Sequence, residues 1–361
     1  MDTLSRMWPE RRKLIAAIEQ KRKSRLICYL TSDRQNANAI IAKDALSRFY
    51  NHLRQMGEIP RLDLFLFTSG GDTLAAFGLA RLFREFAKWV GVLVPDRCLS
   101  AGTLVALGAN QIYMTRAGTL SPIDPSVTTQ LNPVAEGPVQ GMRQLLPVSV
   151  ESVAGFKSLI EEDWKIRKEE MLAQLLKVLS DRVHPLALGD VYRSRQQIER
   201  LAGQLLKKHR KDDKRIQEII STLTKDLGSH DYPISRTEAR DLLGKQIAPD
   251  DAELETLVWN LYQDYVGEMN WGTPYNPSVE IAQAKGKAAA VAGPVRIRLD
   301  MAVIETLEAR DTFEQEFLVS ETIIPGPTGP MKAVQQEVLD AGWKHYDQKE
   351  VEDANPAVVQ S

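Results

Sequence analysis

Two glycines and a serine carry the chemistry this sequence offers. Gly70 and Gly71 follow Thr68 and Ser69 at the end of a nearly continuous apolar run, residues 62–67. Such a run, closed by a tight turn, reads as a buried strand. Without side chains, the two glycines let their backbone N–H groups approach a ligand closely. They also precede a helix, where unpaired N–H groups favour developing negative charge. Ser100-Ala101-Gly102 opens a second helix, and the Ala101 N–H lies beside the Ser100 hydroxyl in sequence. A serine with backbone donors close by suits acyl transfer, because the donors stabilise a tetrahedral oxyanion. The plain alternative is a serine that merely caps its helix.

The elements that must position these residues follow from the apolar pattern. Asp72 is placed to cap a helix with Leu74, Gly78, Leu82 and Phe86 on one face and Leu79 and Phe83 beside them. Residues 90–94 form a second buried strand, 103–109 a helix of small residues, and 111–114 a third strand. Upstream, 3–23 is a charged helix that docks or caps, 26–30 a short strand, and 37–56 a helix.

This order of strand, Gly-Gly, helix, strand, Ser-Ala-Gly, small-residue helix and strand resembles the Clp protease and signal peptide peptidase A group of the crotonase-fold superfamily. Within that group the sequence is most similar to the serine dehydrogenase proteinase family. Ser69 stands where the resembled turn usually has proline. The resemblance covers about residues 26–247 and is most specific over 62–125. It implies an α/β fold, a ClpP/crotonase-like spiral of β-β-α units. It also implies a serine peptidase with Ser100 as nucleophile and the N–H groups of Gly70, Gly71 and Ala101 as oxyanion hole. The substrate would be a peptide or protein, with no cofactor and no metal, and a homo-oligomer is expected.

The general base stays open. Where Clp proteases carry their histidine, this sequence has Asp124 between two prolines, Pro122 and Pro125. An aspartate is no base near neutral pH unless its pKa is strongly raised, so Asp124 lines the pocket, orients another group or simply forms a turn. Signal peptide peptidases use a lysine from a later helix, which points to Lys157; its plain role is a surface lysine. Asp231 falls where the resembled fold has its triad aspartate, with His230 directly before it. An imidazole has a suitable ordinary pKa. On an extended chain, however, neighbours point opposite ways, so His230 and Asp231 cannot both reach one serine. Their plain role is to cap the helix that starts near Ser235.

Composition narrows the function classes. The 361 residues carry a net charge of −2, with 43% hydrophobic and 26% charged residues, ordinary for a globular protein. The basic run 207–215 lacks interleaved aromatics and is a weak nucleic-acid signal, so no nucleic-acid partner is expected. Cys28 and Cys98 lie in apolar runs and read as buried thiols, which fits a reducing compartment. No apolar run approaches the length of a membrane span, so no membrane anchor and a cytoplasmic location are expected. There is no ATP-binding P-loop and no HExxH.

The expected organisation is an N-terminal helix (1–25), the protease domain (26–265), a linker and C-terminal β-hairpin (266–325) and a partly disordered tail (326–361). Residues 126–147 read as a long loop over the site. Residues 151–183 read as one strong helix and 251–265 as another. Strands 295–307 and 313–323 flank a turn at Ala309-Arg310-Asp311. Two other readings share the fold. A crotonase-type acyl-CoA enzyme would need an acid–base carboxylate rather than Ser100. A non-catalytic interaction protein would lack a base within reach of Ser100.

Overall fold

The computed structural model describes residues 4–123, 126–127, 130–136, 143–146, 148–227, 229–287, 293–326 and 329–347. It divides into two compact units. The first is Met1–Thr119, Ser235–Arg240 and Gly244–Ser361; the second is Leu120–Ile234 with Asp241–Leu243.

The first unit is built on a seven-stranded mixed α/β sheet. Its parallel half runs Arg25–Thr31, Ile59–Phe67, Ala87–Val94 and Gln111–Met114, in that spatial order. Their C-terminal stretches, residues 27–30, 64–67, 90–94 and 112–114, are apolar and buried because both faces are covered. Leu26, Cys28 and Leu30 turn to one face, where helices Leu4–Arg22 and Ala252–Glu268 supply Ile15, Ile18, Val258, Leu261 and Tyr265. On the other face the Tyr29, Phe49 and Phe83 rings meet edge to face at 5.1 and 5.3 Å. Phe49 and Phe83 come from helices Ala45–Met56 and Thr73–Phe86. Both cysteines are buried and unbonded to each other.

Several expectations need correction. The helix expected over 37–56 begins only at Ala45. Asn36, at φ 66°, turns the chain into a two-residue ladder of Asp33–Arg34 with Ala37–Asn38, and this delays the helix. Helix Thr73–Phe86 is rotated from its expected face: Ala75, Ala76, Leu79, Ala80 and Phe83 are buried, and Leu74 is exposed. Small alanines let the helix approach the sheet where larger residues would hold it off.

The C-terminal strands are part of the main sheet. Val295–Glu305 pairs antiparallel with Arg25–Thr31, followed outward by Ala309–Gly326 and Gly329–Asp347. The turn falls at 306–308, because the Thr306 hydroxyl accepts from the Glu308 and Ala309 N–H groups at 3.2 Å. Arg310 and Asp311 are therefore buried strand residues. The segment 329–347, expected as weak helix and disordered tail, is a strand, because its partner supplies a full ladder of backbone pairs.

In the second unit, helices Pro185–Leu206 and Asp213–Ser221 bury Ile198, Leu201, Leu205, Ile216 and Ile219. The expected loop 126–147 contains short strands, Val134–Glu136 pairing with Arg143–Leu145 and Ser126–Val127 with Val148–Ser149. The single helix expected over 151–183 is two, Val150–Ser158 and Glu169–Ser180, separated by a wide turn at Leu159–Asp163. Lys165, at φ 53°, stops the first from continuing.

A buried charge network ties the two ends of the chain together. Arg11, fully buried, pairs with Glu268 at 2.7 Å, Glu305 at 3.2 Å and Asp264, and lies 4.0 Å over the Tyr265 ring. Arg310 meets Glu268 at 2.8 Å and Glu305 at 3.6 Å. Burial pushes Asp264 up from the ordinary carboxylate range despite Arg11. Burial also works against charged Glu268, yet Arg310 and Arg11 hold its pKa below the usual value. Breaking such a pair strands a buried charge. Arg11→Ala is expected to lower the unfolding free energy by about 3–5 kcal/mol in urea titration. Combining it with Glu305→Ala is expected to cost less than the sum of the two single changes, since they share one network.

Candidate active site

The site begins where strand Ile59–Phe67 ends. Thr68 is fully buried and pairs in parallel with Cys98. Its N–H donates to the Arg97 carbonyl and its own carbonyl accepts from the Leu99 N–H, both at 3.0 Å. Beyond it, Gly70 and Gly71 take φ values of 119° and 141°, which L side chains rarely adopt. The Gly70 N–H donates to the Thr68 Oγ1 at 3.1 Å, and the Gly70 carbonyl accepts from the Ile41 N–H at 2.7 Å. Asp72 caps the following helix through the Ala75 N–H at 2.8 Å.

Ser100 sits at a sharp elbow between the short strand Arg97–Cys98 and helix Ala101–Leu107. Its φ of 49° and ψ of −107° are strained for a residue with a side chain. The strain is held on both sides. Behind it, Leu99 is paired to Thr68; ahead, the Ser100 carbonyl accepts from the Leu104 N–H at 3.1 Å. The alternative role, a capping serine, is not realised, since the Ser100 side chain accepts no bond from its own helix. Ser100 is half-buried, and the helix it opens is buried along its whole length.

The two turns touch. A side-chain carbon added at Gly70 would lie 3.1 Å from the Ser100 Cβ and 3.6 Å from its Oγ. One added at Gly102 would collide with the Thr68 methyl. Among the described residues, the N–H groups of Gly71 and Ala101 are given to no acceptor. Gly70, by contrast, spends its N–H on Thr68. The arrangement brings a strained serine, a glycine turn and two open backbone donors into one small region.

Residues 3–136 match the family described as ClpP-like SDH-type serine proteinase. Two uncharacterized proteins of Methanocaldococcus jannaschii are similar. One is 25% identical over 64% of this chain and 70% of its own length, the other 26% identical over 50% and 51%. The chain thus spans about half the length of the second. A solved structure, a mutant of the 1510-N membrane-bound stomatin-specific protease, aligns with TM-score 0.36 and 13% identity over 64% of this chain and 84% of that one. No helix among the described residues is long and apolar enough to cross a membrane.

The expected base candidates Lys157 and His230 belong to the second unit. Lys157 lies on helix Val150–Ser158 with its side chain 72% exposed, and it pairs with Glu161 at 3.8 Å. His230 and Asp231 lie in a turn, not on an extended chain, so their side chains meet: Nδ1 of His230 is 3.3 Å from Oδ1 of Asp231. The cap of helix Arg236–Leu243 is instead Ser235, in a reciprocal box with Glu238. Asp124 lies outside the described residues.

Sequence reasoning missed the supports of the site: Thr68, Ile41, Asp33 and Arg97. Only Thr68 had a local signal, as a hydroxyl residue just before the glycines. Gly71 is the most constrained position of the glycine turn, because a side chain there would drive into the Ile41 backbone. Gly71→Ala is expected to abolish peptide hydrolysis and to lower stability by about 1–3 kcal/mol, read by a peptidase assay and thermal unfolding.

Proposed function

We propose that the protein hydrolyses peptide bonds through an acyl-enzyme on Ser100, with the N–H groups of Gly71 and Ala101 binding the oxyanion. The observation that carries this is the strained Ser100 elbow packed against the glycine turn. Backbone strain held from both sides is characteristic of a site that must present one side chain in one geometry. Gly70 shapes the turn in this reading rather than donating to substrate.

Of the two base candidates, Lys157 and His230, the second has a carboxylate partner, its Nδ1 lying 3.3 Å from Oδ1 of Asp231. Lys157, by contrast, is exposed and paired with Glu161. A general base takes the Ser100 proton as Oγ attacks the substrate carbonyl carbon. The oxyanion forms against the two N–H groups. The C–N bond then breaks, and the same proton passes to the leaving amine. Water repeats the sequence on the ester, returning the serine and releasing the acid.

A homo-oligomer belongs to the same reading. Helix Glu169–Ser180 buries none of its residues and leaves Met171, Leu176 and Val178 at 45, 59 and 59% exposure, an apolar surface suited to assembly.

Labelling with a fluorophosphonate probe, followed by peptide mass spectrometry, tests the nucleophile. Label is expected on the Ser100 peptide of the wild type and absent from Ser100→Ala; label that persists in Ser100→Ala would sink the proposal. His230→Ala is expected to lose label while Lys157→Ala keeps it, and the reverse result would move the base to Lys157. The pH profile of kcat/KM checks the same choice. With a histidine base, activity falls as pH drops through about 6.5, where the imidazole takes up a proton. A lysine base would set that limb well above neutrality.

A further inference from the structure

We infer that Thr68 is a positioning residue that sets both arms of the oxyanion hole, its backbone holding the serine arm and its hydroxyl the glycine arm. This rests on the reading of Ser100 as nucleophile given above.

A threonine hydroxyl has one donor and two acceptor sites. All three are used here. Oγ1 accepts from the Gly70 N–H at 3.1 Å and from the Thr31 hydroxyl at 3.0 Å, and it donates to the Gly70 carbonyl at 3.2 Å. Thr31 and Thr68 are both fully buried, so no solvent can stand in for the group. Removing it would leave the Gly70 N–H and the Thr31 hydroxyl unpaired in the interior.

The consequence reaches the proposed donor through the peptide plane. In a trans peptide the Gly70 carbonyl and the Gly71 N–H point in opposite directions. The carbonyl is fixed by Thr68 and by the Ile41 N–H at 2.7 Å. The Gly71 N–H is therefore aimed away from Ile41 and held there. Two consecutive glycines would otherwise let that peptide rotate at little steric cost. A donor that is already aimed loses no energy to reorganisation when charge develops.

The serine arm depends on the same residue by different atoms. The Thr68 N–H and carbonyl hold Arg97 and Leu99 at 3.0 Å each, immediately before Ser100. Its methyl packs where Gly102 has no side chain. Thr68 thus fixes the spacing between the Gly71 and Ala101 donors, without itself touching substrate.

The test uses the full chain with Thr68→Val, which keeps the shape and loses the hydroxyl, and Thr68→Ser, which keeps the hydroxyl. Steady-state hydrolysis of a peptide is measured beside inhibition by a peptide boronic acid, which forms a tetrahedral adduct on serine. For Thr68→Val, kcat is expected to fall about 10–100-fold with KM within about twofold, and boronate affinity to weaken by a similar factor, since an oxyanion donor acts only on the tetrahedral state. Thr68→Ser is expected to stay close to wild type. Unchanged kcat and boronate affinity in Thr68→Val would overturn the inference, as would an equal loss in Thr68→Ser. If Thr68→Val fails to fold, Thr31→Val, which removes one hydrogen bond to the same oxygen, takes its place: a kcat loss without a KM change supports the inference, and no loss overturns it. Wild type without Ser100-dependent hydrolysis would instead refute the nucleophile assignment, a separate outcome.

Discussion

Two backbone hydrogen bonds, from the Thr68 N–H to Arg97 and from the Leu99 N–H to Thr68, fix what the rest of the first unit is arranged to protect. They extend the pairing of two parallel strands just past the sheet's end. Without them the glycine turn and the serine elbow would be independent loops, each free to relax. With them, one turn's position determines the other's. Strain at Ser100 can persist because neighbours on both sides over-determine its backbone. The sheet beneath supplies the rigidity: strands Ile59–Phe67 and Ala87–Val94 are buried along most of their length and covered by helices on both faces.

That rigidity draws on parts of the chain far from the site. The outer strands Val295–Glu305, Ala309–Gly326 and Gly329–Asp347 cover the edge that Arg25–Thr31 would otherwise expose. The N-terminal helix joins them through Arg11, whose partners come from helix Ala252–Glu268 and from Glu305. Four carboxylates, the fully buried Glu305 and the partly buried Asp264, Glu268 and Asp300, surround two buried guanidiniums, Arg11 and Arg310. Burial opposes charge on Arg11, Arg310, Asp264, Glu268 and Asp300, so removing one partner strands the others. The network's value lies in register: each arginine must meet carboxylates from different elements at once.

How much was legible in the sequence follows from how local each signal is. The glycine pair, the Asp72 cap, Ser100 and the parallel strands around them could be read because each is a short pattern with a local cause. Strand Gly329–Asp347 could not, because its apolar residues do not alternate and its ladder comes from a partner strand. The break at Lys165 was hidden because a lysine gives no warning of a left-handed backbone. The early face of helix Thr73–Phe86 was misread because hydrophobicity ranked Leu74 above the alanines, while close packing on the sheet favours the smaller residues. Ile41 lies well upstream of Gly71, and only the folded chain shows that they pair.

Ser69, standing where the resembled turn has proline, shows how a lost ring restraint can be replaced. A proline at that place would fix φ by its ring and stiffen the turn entering the glycines. Serine has no such restraint, but its hydroxyl donates to Oδ1 of Asp33 at 3.1 Å. The other oxygen of Asp33 pairs with Arg97, whose guanidinium also lies 5.6 Å over the Phe67 ring. Arg97 immediately precedes the segment that carries Ser100. A covalent restraint within one loop is thus replaced by a polar clasp between two. The clasp is partly exposed and weaker per contact than a ring closure, yet it joins the same two turns that Thr68 joins from beneath. The glycine turn is therefore held from the buried side by a saturated hydroxyl and from the open side by an ion pair, and the serine elbow moves only if both let go.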